Sequence, residues 1–389
     1  MIRILLFCVS LLQVFFGCSG CESEDNKKEF LLLWQTEPTS AIGDPLGSRS
    51  WATPLIVNNI VYISYIKDQQ YFISAFGTQS GNTVWTRPLS RELSSSNVLY
   101  DNGRIYYNLH DSVLCLDAQD GNVVWSTFVE SPNGIRNLIM SSDYIFYGNA
   151  YYDKLNPDLF KISKTTGQVQ WKKAFSAANR SAITSTGYDK EIGYIYTGLF
   201  IEPDTVFGNQ SQVFCLNQDS QIVWSRKFNW QGAAVSVGSF VFTNEKVMFG
   251  TGTELRALNK QTGDTIWSYD CKDGMFSGQI TVGTKVYAGN SNGSIYCFDI
   301  TTGKLIWKQF LFGSLSYQLS NDNKALYACN GDLWALDLNS GKVILRITPP
   351  GHDTDNNNIF LSPVGVGDGK IFIVGTRAIY CYASLGETE

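Results

Sequence analysis

A segment that recurs along the chain restricts its folding more than any other feature. Its clearest copy reads Cys297-Phe298-Asp299-Ile300-Thr301-Thr302-Gly303-Lys304-Leu305-Ile306-Trp307: a small residue, a glycine six positions on and a tryptophan ten positions on. The same spacing joins Ala75, Gly81 and Trp85; Cys115, Gly121 and Trp125; and Ala257, Gly263 and Trp267. Lys161, Gly167 and Trp171 keep the glycine and tryptophan but place a lysine at the small position. Ala335, Gly341 and Leu345 end on leucine. One copy, Cys215, Gln221 and Trp224, is a residue shorter and lacks the glycine. A chain of seven such copies must stack like units against one another, so the period decides the fold.

Each copy has a physical reading. The residues before the turn run apolar, as in Val113 to Leu116 and Ser294 to Phe298, which suits a strand buried on both faces. Asp, Asn or Thr followed by Gly closes a tight hairpin, the glycine supplying positive φ. Another strand pair lies upstream, such as Gln279–Val282 with Lys285–Gly289. Four short antiparallel strands in roughly 40 residues make a propeller blade. The eighth blade is split: Ile359–Pro363, Lys370–Gly375 and Ala378–Ala383 give three strands, and Phe30–Trp34 gives the fourth. An all-β, eight-bladed propeller closed by the N-terminal strand is predicted, since closure removes the open edge of a repeat array.

The Ala/Cys-x-Asp-x-x-Thr-Gly-x-x-x-Trp unit resembles the tryptophan-docking repeat of the pyrroloquinoline-quinone (PQQ)-type eight-bladed propellers. The likeness covers residues 29–385, and Trp34, Trp85, Trp125, Trp171, Trp224, Trp267 and Trp307 fall in register. Fixed at one position in seven of the eight blades, these indoles are expected to pack between neighbouring blades and not to form a ligand platform. The resemblance implies a fold but not an activity, because this propeller hosts both enzymes and scaffolds.

Upstream of the repeat, Arg3 precedes an apolar run from Ile4 to Leu12 that continues through Val14, Phe15 and Phe16. It is short for a membrane span and sits where an export signal sits. Gly17-Cys18-Ser19-Gly20-Cys21 follows, then Glu22, Ser23, Glu24 and Asp25. This resembles a bacterial lipoprotein signal, with residues 1–17 removed and Cys18 lipidated; Cys21 is the alternative. Residues 18–28 then form an acidic tether, 29–385 the propeller and 386–389 a tail. With 30 Lys+Arg against 35 Asp+Glu and no basic run, no nucleic-acid partner is expected.

Of the nine cysteines, Cys8, Cys18 and Cys21 belong to the signal region. Cys115, Cys215, Cys297 and Cys381 occupy one repeat position in different blades, too far apart for a disulfide, so they are expected to be free and buried. Cys271 and Cys329 are left open. Two histidines, His110 and His352, leave little acid–base chemistry. Enzymes that the propeller resembles often carry vicinal cysteines over a quinone and acidic ligands for calcium; this chain has no Cys-Cys dipeptide. No catalytic residue, cofactor or metal is therefore assigned.

Segments that depart from the repeat are where loops carry function. These are Ala178 to Gln212, Asn229 to Gly232 and Pro349 to Asn358. Trp230, Gln231, His352, Asp353 and Asp355 are the candidate partner or ligand face. Asp353, Asp355 and Asn357 alternate as calcium donors do, but the bidentate Glu and turning Gly are missing, so a solvated loop is expected. Lys161 either snorkels outward or marks a register change. The combination resembles the propeller lipoproteins of the outer-membrane β-barrel assembly machinery. That implies a monomeric, lipid-anchored scaffold at the outer membrane that docks a protein partner. The alternatives are a surface lipoprotein binding carbohydrate through exposed aromatics such as Trp51, Trp230 or Trp334, and a PQQ-dependent dehydrogenase.

Overall fold

The computed structural model describes residues 30–36, 52–67, 70–89, 97–109, 111–129, 138–149, 157–175, 181–201, 209–230, 237–312 and 318–385. These residues form eight four-stranded antiparallel sheets and no helix. Seven sheets are consecutive meanders, and we number them as blades 1 to 7: residues 55–89, 99–128, 139–174, 181–230, 241–270, 276–310 and 320–347. Blade 8 combines Gly365–Gly367, Lys370–Val374 and Ile379–Ala383 with Leu32–Gln35, which adds as its fourth strand beside Ile379–Ala383.

The predicted propeller, its eight blades and its N-terminal closure are all present. Two strands differ from expectation: the closing strand is Leu32–Gln35, not Phe30–Trp34, and the opening strand of blade 8 is displaced further along the chain. The first strand of blade 8 is Gly365–Gly367, not Ile359–Pro363. Pro363 has no N–H to donate, and the Asp368-Gly369 turn that leads into Lys370 takes its pairing partner from the residues just before it. The earlier residues contribute an isolated bridge between Phe360 and Gly375.

Burial explains why the blades stack. Second and third strands are buried on both faces, as in Ile105–Leu109 and Val113–Leu116, while fourth strands alternate, as in Val123–Phe128. Each blade is thus apolar on both sides and can only be satisfied by a neighbour on each. The core accordingly divides into eight apolar clusters, one at every joint between successive blades. One of them joins Val61 and Ile63 of blade 1 to Phe372 and Val374 of blade 8, so the array closes into a ring.

The repeat residues lock these joints. In five of the seven turns an aspartate or asparagine caps the loop, as when Asp299 Oδ1 accepts the N–H groups of Thr301 and Thr302 at 3.1 and 2.8 Å. Gly303 then adopts φ 70° and donates to the Asp299 carbonyl at 2.9 Å. Trp267 of the preceding blade lies flat on that glycine: a Cβ there would come within 2.5 Å of the indole. All seven in-register tryptophans donate through Nε1 to the carbonyl three residues before the receiving glycine, or its counterpart in blade 4. The acceptors are Thr78, Ala118, Lys164, Gln218, Lys260, Ile300 and Leu338, at 2.9–3.4 Å. The indoles are interblade packing with a satisfied N–H, as their register implied.

Leu345 breaks the pattern for a topological reason. It faces blade 8, where the third and fourth strands come from opposite ends of the propeller and share no turn. No turn glycine is there to receive an indole. Phe30 fills this joint instead, its ring 6.2 Å from Tyr327 and 6.1 Å from Tyr382.

Candidate functional site

Because blades 1 to 7 are meanders, their turns between strands 1–2 and 3–4 lie on one face of the ring, the turn face. Connections between strands 2–3, and from one blade to the next, lie on the opposite, connection face. The expected site residues can be placed on this frame. Trp230 ends the fourth strand of blade 4, paired in the backbone with Asn209, at the connection face. Gln231 lies outside the described residues, as do Cys18, Cys21, His110 and Trp51. His352, Asp353 and Asp355 lie between blades 7 and 8, also at the connection face. The ring therefore puts both segments on one face but three to four blades apart; they do not form one patch.

The 349–358 loop is organised from within. His352 Nδ1 lies 2.7 Å from the Asn358 carbonyl oxygen, and the Asn358 amide donates to the Pro350 carbonyl at 2.7 Å. Arg377 holds Asp355 at 2.5–3.0 Å and keeps its carboxyl below the usual carboxylate range, helped by the Asn357 N–H. Asp355 is thus spent on an ion pair and a turn, and Asp353 is exposed. Among the described residues no group of three or more His, Cys, Asp or Glu side chains could hold a metal ion.

Two further departures from the repeat find structural explanations. Much of the 178–212 segment lengthens the strands of blade 4 to eight or nine residues. Its acidic turn meets blade 5, where buried Lys260 reaches Asp189 at 2.9 Å and Glu191 at 2.6 Å. Lys161 keeps the repeat register, opposite Trp171, and neither snorkels nor shifts. Its ammonium crosses the joint to the Gln218 carbonyl at 3.1 Å, the acceptor that Trp171 also uses, and lies 4.0 Å from the centre of the Tyr144 ring. Burial pulls its pKa down. Trp334 is buried, not exposed: its Nε1 donates to Asn330 at 2.6 Å and Arg346 covers its ring.

The turn face carries a concave feature that sequence inspection missed. A groove of about 420 Å³ opens at the joint of blades 1 and 2, walled by Ile60, Tyr62, Val84 and Tyr100. Its rim holds Gln119 and the Arg104–Asp117 ion pair. Asp117 is held below the usual carboxylate range, first by the Gln119 N–H and also by Arg104. Ala118 forms the floor, its carbonyl already accepting Trp85 at 3.0 Å and Tyr62 at 3.3 Å. Burial pushes the Tyr62 phenol up to about 12, so it remains a hydroxyl donor. The signal was present in the repeat: aligned on the glycine, position 118 is alanine where most copies carry a larger side chain.

A closed ring of eight blades, joined by docked tryptophans and offering two loop-bearing faces, defines a rigid propeller of the tryptophan-docking class. The model of the family described as "Outer membrane protein assembly factor BamB" matches residues 32–269 and 151–346, and the chain belongs to that family. Outer membrane protein assembly factor BamB of Escherichia coli is 22% identical over 399 residues, covering 95% of this chain and 94% of that protein. Tetrathionate hydrolase of Acidithiobacillus ferrooxidans is 25% identical over 332 residues, covering 76% of this chain but only 56% of the hydrolase. Among solved structures, BamB from Moraxella catarrhalis superposes with a TM-score of 0.63 at 13% identity, covering 92% of this chain and 99% of that one. Quinohemoprotein alcohol dehydrogenase from Comamonas testosteroni gives 0.68 at 12% identity, covering 91% and 76%. At such identities the structural likeness concerns the fold alone.

Proposed function

We propose that this chain is a non-catalytic scaffold of the bacterial envelope that holds a protein partner during outer-membrane protein assembly. The observation that carries this reading is the family match over residues 32–346, with an alignment to the E. coli assembly factor that runs nearly end to end in both proteins. The ring supports it physically: docked tryptophans interlock the blades, so a partner can dock on their described ends without ordering them first. Residues 1–17 act as an export signal, Cys18 carries the lipid, and residues 18–28 tether a monomeric propeller to the outer membrane. Trp230, Gln231 and the 349–358 loop are the candidate contacts for that partner.

Affinity capture of the full chain from cross-linked membranes tests the reading, with β-barrel assembly components expected among the captured proteins. Their absence would sink it. Mass spectrometry of the mature N-terminus should find an acylated Cys18; an unmodified terminus, or one at Cys21, refutes that anchor.

The hydrolase relative favours a second, enzymatic reading, weakened by its coverage of just over half of that protein. Purified chain incubated with tetrathionate, or with PQQ, Ca²⁺ and an alcohol, is expected to give no turnover. Turnover in either assay would replace the scaffold with an enzyme.

A further inference from the structure

The groove between blades 1 and 2 is a joint that lacks its plug, and the other joints show what a plug looks like. In blades 3, 5 and 7 the side chain three residues before the turn glycine enters the seam next to the preceding blade's first turn. In blades 3 and 5 it is a lysine, and the preceding blade supplies a carboxylate: Lys164 reaches Asp101 at 2.5 Å, and Lys260 reaches Asp189 at 2.9 Å. In blade 7 it is Leu338, buried in a cluster against which Val282 of blade 6 packs. A carboxylate thus goes with lysine, and valine with leucine.

Blade 2 has Ala118 at this position, and the counterpart of Val282 in blade 1 is Val57, which packs against the cluster containing Ala118. The seam is therefore of the aliphatic kind but has no aliphatic side chain to fill it. A second difference leaves it uncovered. At the joint of blades 6 and 7, Lys285 spans the surface to Asn339 at 2.7 Å. Their counterparts at the joint of blades 1 and 2 are Ile60 and Gln119, which cannot form that ion–dipole strap and instead contribute an apolar wall and a rim amide.

The charges nearby cancel. Arg104 is paired with Asp117 and Asp101 with Lys164, so nothing in the groove selects an ion. Exposed Val84 and half-buried Tyr100 extend the wall toward solvent. Apolar pockets of this size rimmed by paired polar groups are where interfaces seat an anchor residue.

We infer that the groove between blades 1 and 2 is a socket on the turn face for a leucine or isoleucine side chain presented by a partner polypeptide, supplied in trans where blade 7 supplies Leu338 in cis. This rests on the scaffold reading for its partner but not for its geometry, and it lies on the face opposite Trp230 and the 349–358 loop.

Selection of a random dodecapeptide phage library on the full chain tests it, with each enriched peptide measured on the wild type and two closed variants. Ala118→Leu restores the plug of blade 7, and Ile60→Lys restores its strap. Enriched peptides should share a leucine or isoleucine that cannot be replaced by alanine. Each closed variant should weaken their binding by more than about tenfold, the loss expected of a buried anchor. Melting temperatures of the variants should not fall, since both residues already serve this fold at another joint. Peptides without a shared aliphatic, or peptides whose binding neither variant changes, would overturn the socket. If both variants still capture β-barrel assembly components from membranes as the wild type does, while peptide binding is lost, the socket serves another polypeptide. The scaffold reading would then stand independently.

Discussion

At the scale of single residues, the glycine and the tryptophan of the repeat are one device seen from two blades. The spacing made both visible in the sequence, because each must recur for the ring to close. Their contact, between Gly303 and the preceding blade's Trp267 or between Gly121 and Trp85, was not visible, since it joins residues more than 30 apart. Trp267→Ala should cost about 3–5 kcal/mol, as for other buried aromatics, measured by denaturant unfolding. The glycine can be tested against an internal control. Gly303 and Gly283 both have positive φ, but a Cβ on Gly283 would meet nothing within 4 Å. Alanine should cost roughly 1–2 kcal/mol at Gly283 from backbone strain alone and clearly more at Gly303, where it also displaces the indole. Equal losses would mean that the docking contact carries no weight.

Cysteines at the small position teach the converse lesson. Cys115, Cys215, Cys297 and Cys381 are each unpaired and buried in a different joint, as their common register required. Burial pushes the Cys115 and Cys297 thiols up to about 11 and those of Cys215 and Cys381 up to about 12. A thiol reacts as its thiolate, so all four should resist iodoacetamide at pH 8 in the native protein. They should all be labelled in denaturant without reductant. A linked peptide between any two would contradict the ring. Lys161 and Ala118 were harder to interpret, since a lysine at a small position, or an alanine at a large one, has meaning only beside the blade it faces.

Among elements, the hairpin turns and the closing strand carry different kinds of stability. Asp299 and Asp337 accept from the hydroxyls of Thr302 and Ser340 and from backbone N–H groups, and both carboxyls are held below the usual range for that reason. A depressed carboxylate pKa contributes stability that is complete above the unfolded value near 4 and is lost as pH falls through the folded value. The melting temperature should therefore hold down to about pH 5 and drop below about pH 4. In Asp299→Asn and Asp337→Asn variants that drop should be smaller. An unchanged acid profile would show that the caps do not titrate with folding.

The closing strand was legible as a missing piece: the last blade offered three strands, and Phe30–Trp34 had the remaining tryptophan. What the sequence concealed was the boundary at Gly365–Gly367, where glycine-rich, short pairing gives little propensity signal, and the role of Phe30 at the joint without a turn. Deleting residues 30–35 should expose the edge of Ile379–Ala383 and empty two joints at once. A soluble deletion product melting at the wild-type temperature would remove Leu32–Gln35 from the ring; aggregation or a far lower midpoint is expected.

For the whole molecule, stability is distributed over eight near-equivalent joints. The repeat foretold the number of joints but gave no indication of the groove between blades 1 and 2, because it lies at a seam where the pattern lapses. Ring closure also sets an order in time. Thr36 donates to the Ile379 carbonyl at 3.0 Å, and the Ile379 N–H returns to the Thr36 hydroxyl at 3.0 Å. A strand near the start of the chain must wait, unpaired, until 343 further residues have been synthesised and delivered to the same compartment. Blades 1 to 7 can assemble as they emerge, each on the one before, but the latch belongs to the last step. Any truncated or stalled product therefore carries an open sheet edge, which is the surface on which unfinished rings would pair with one another.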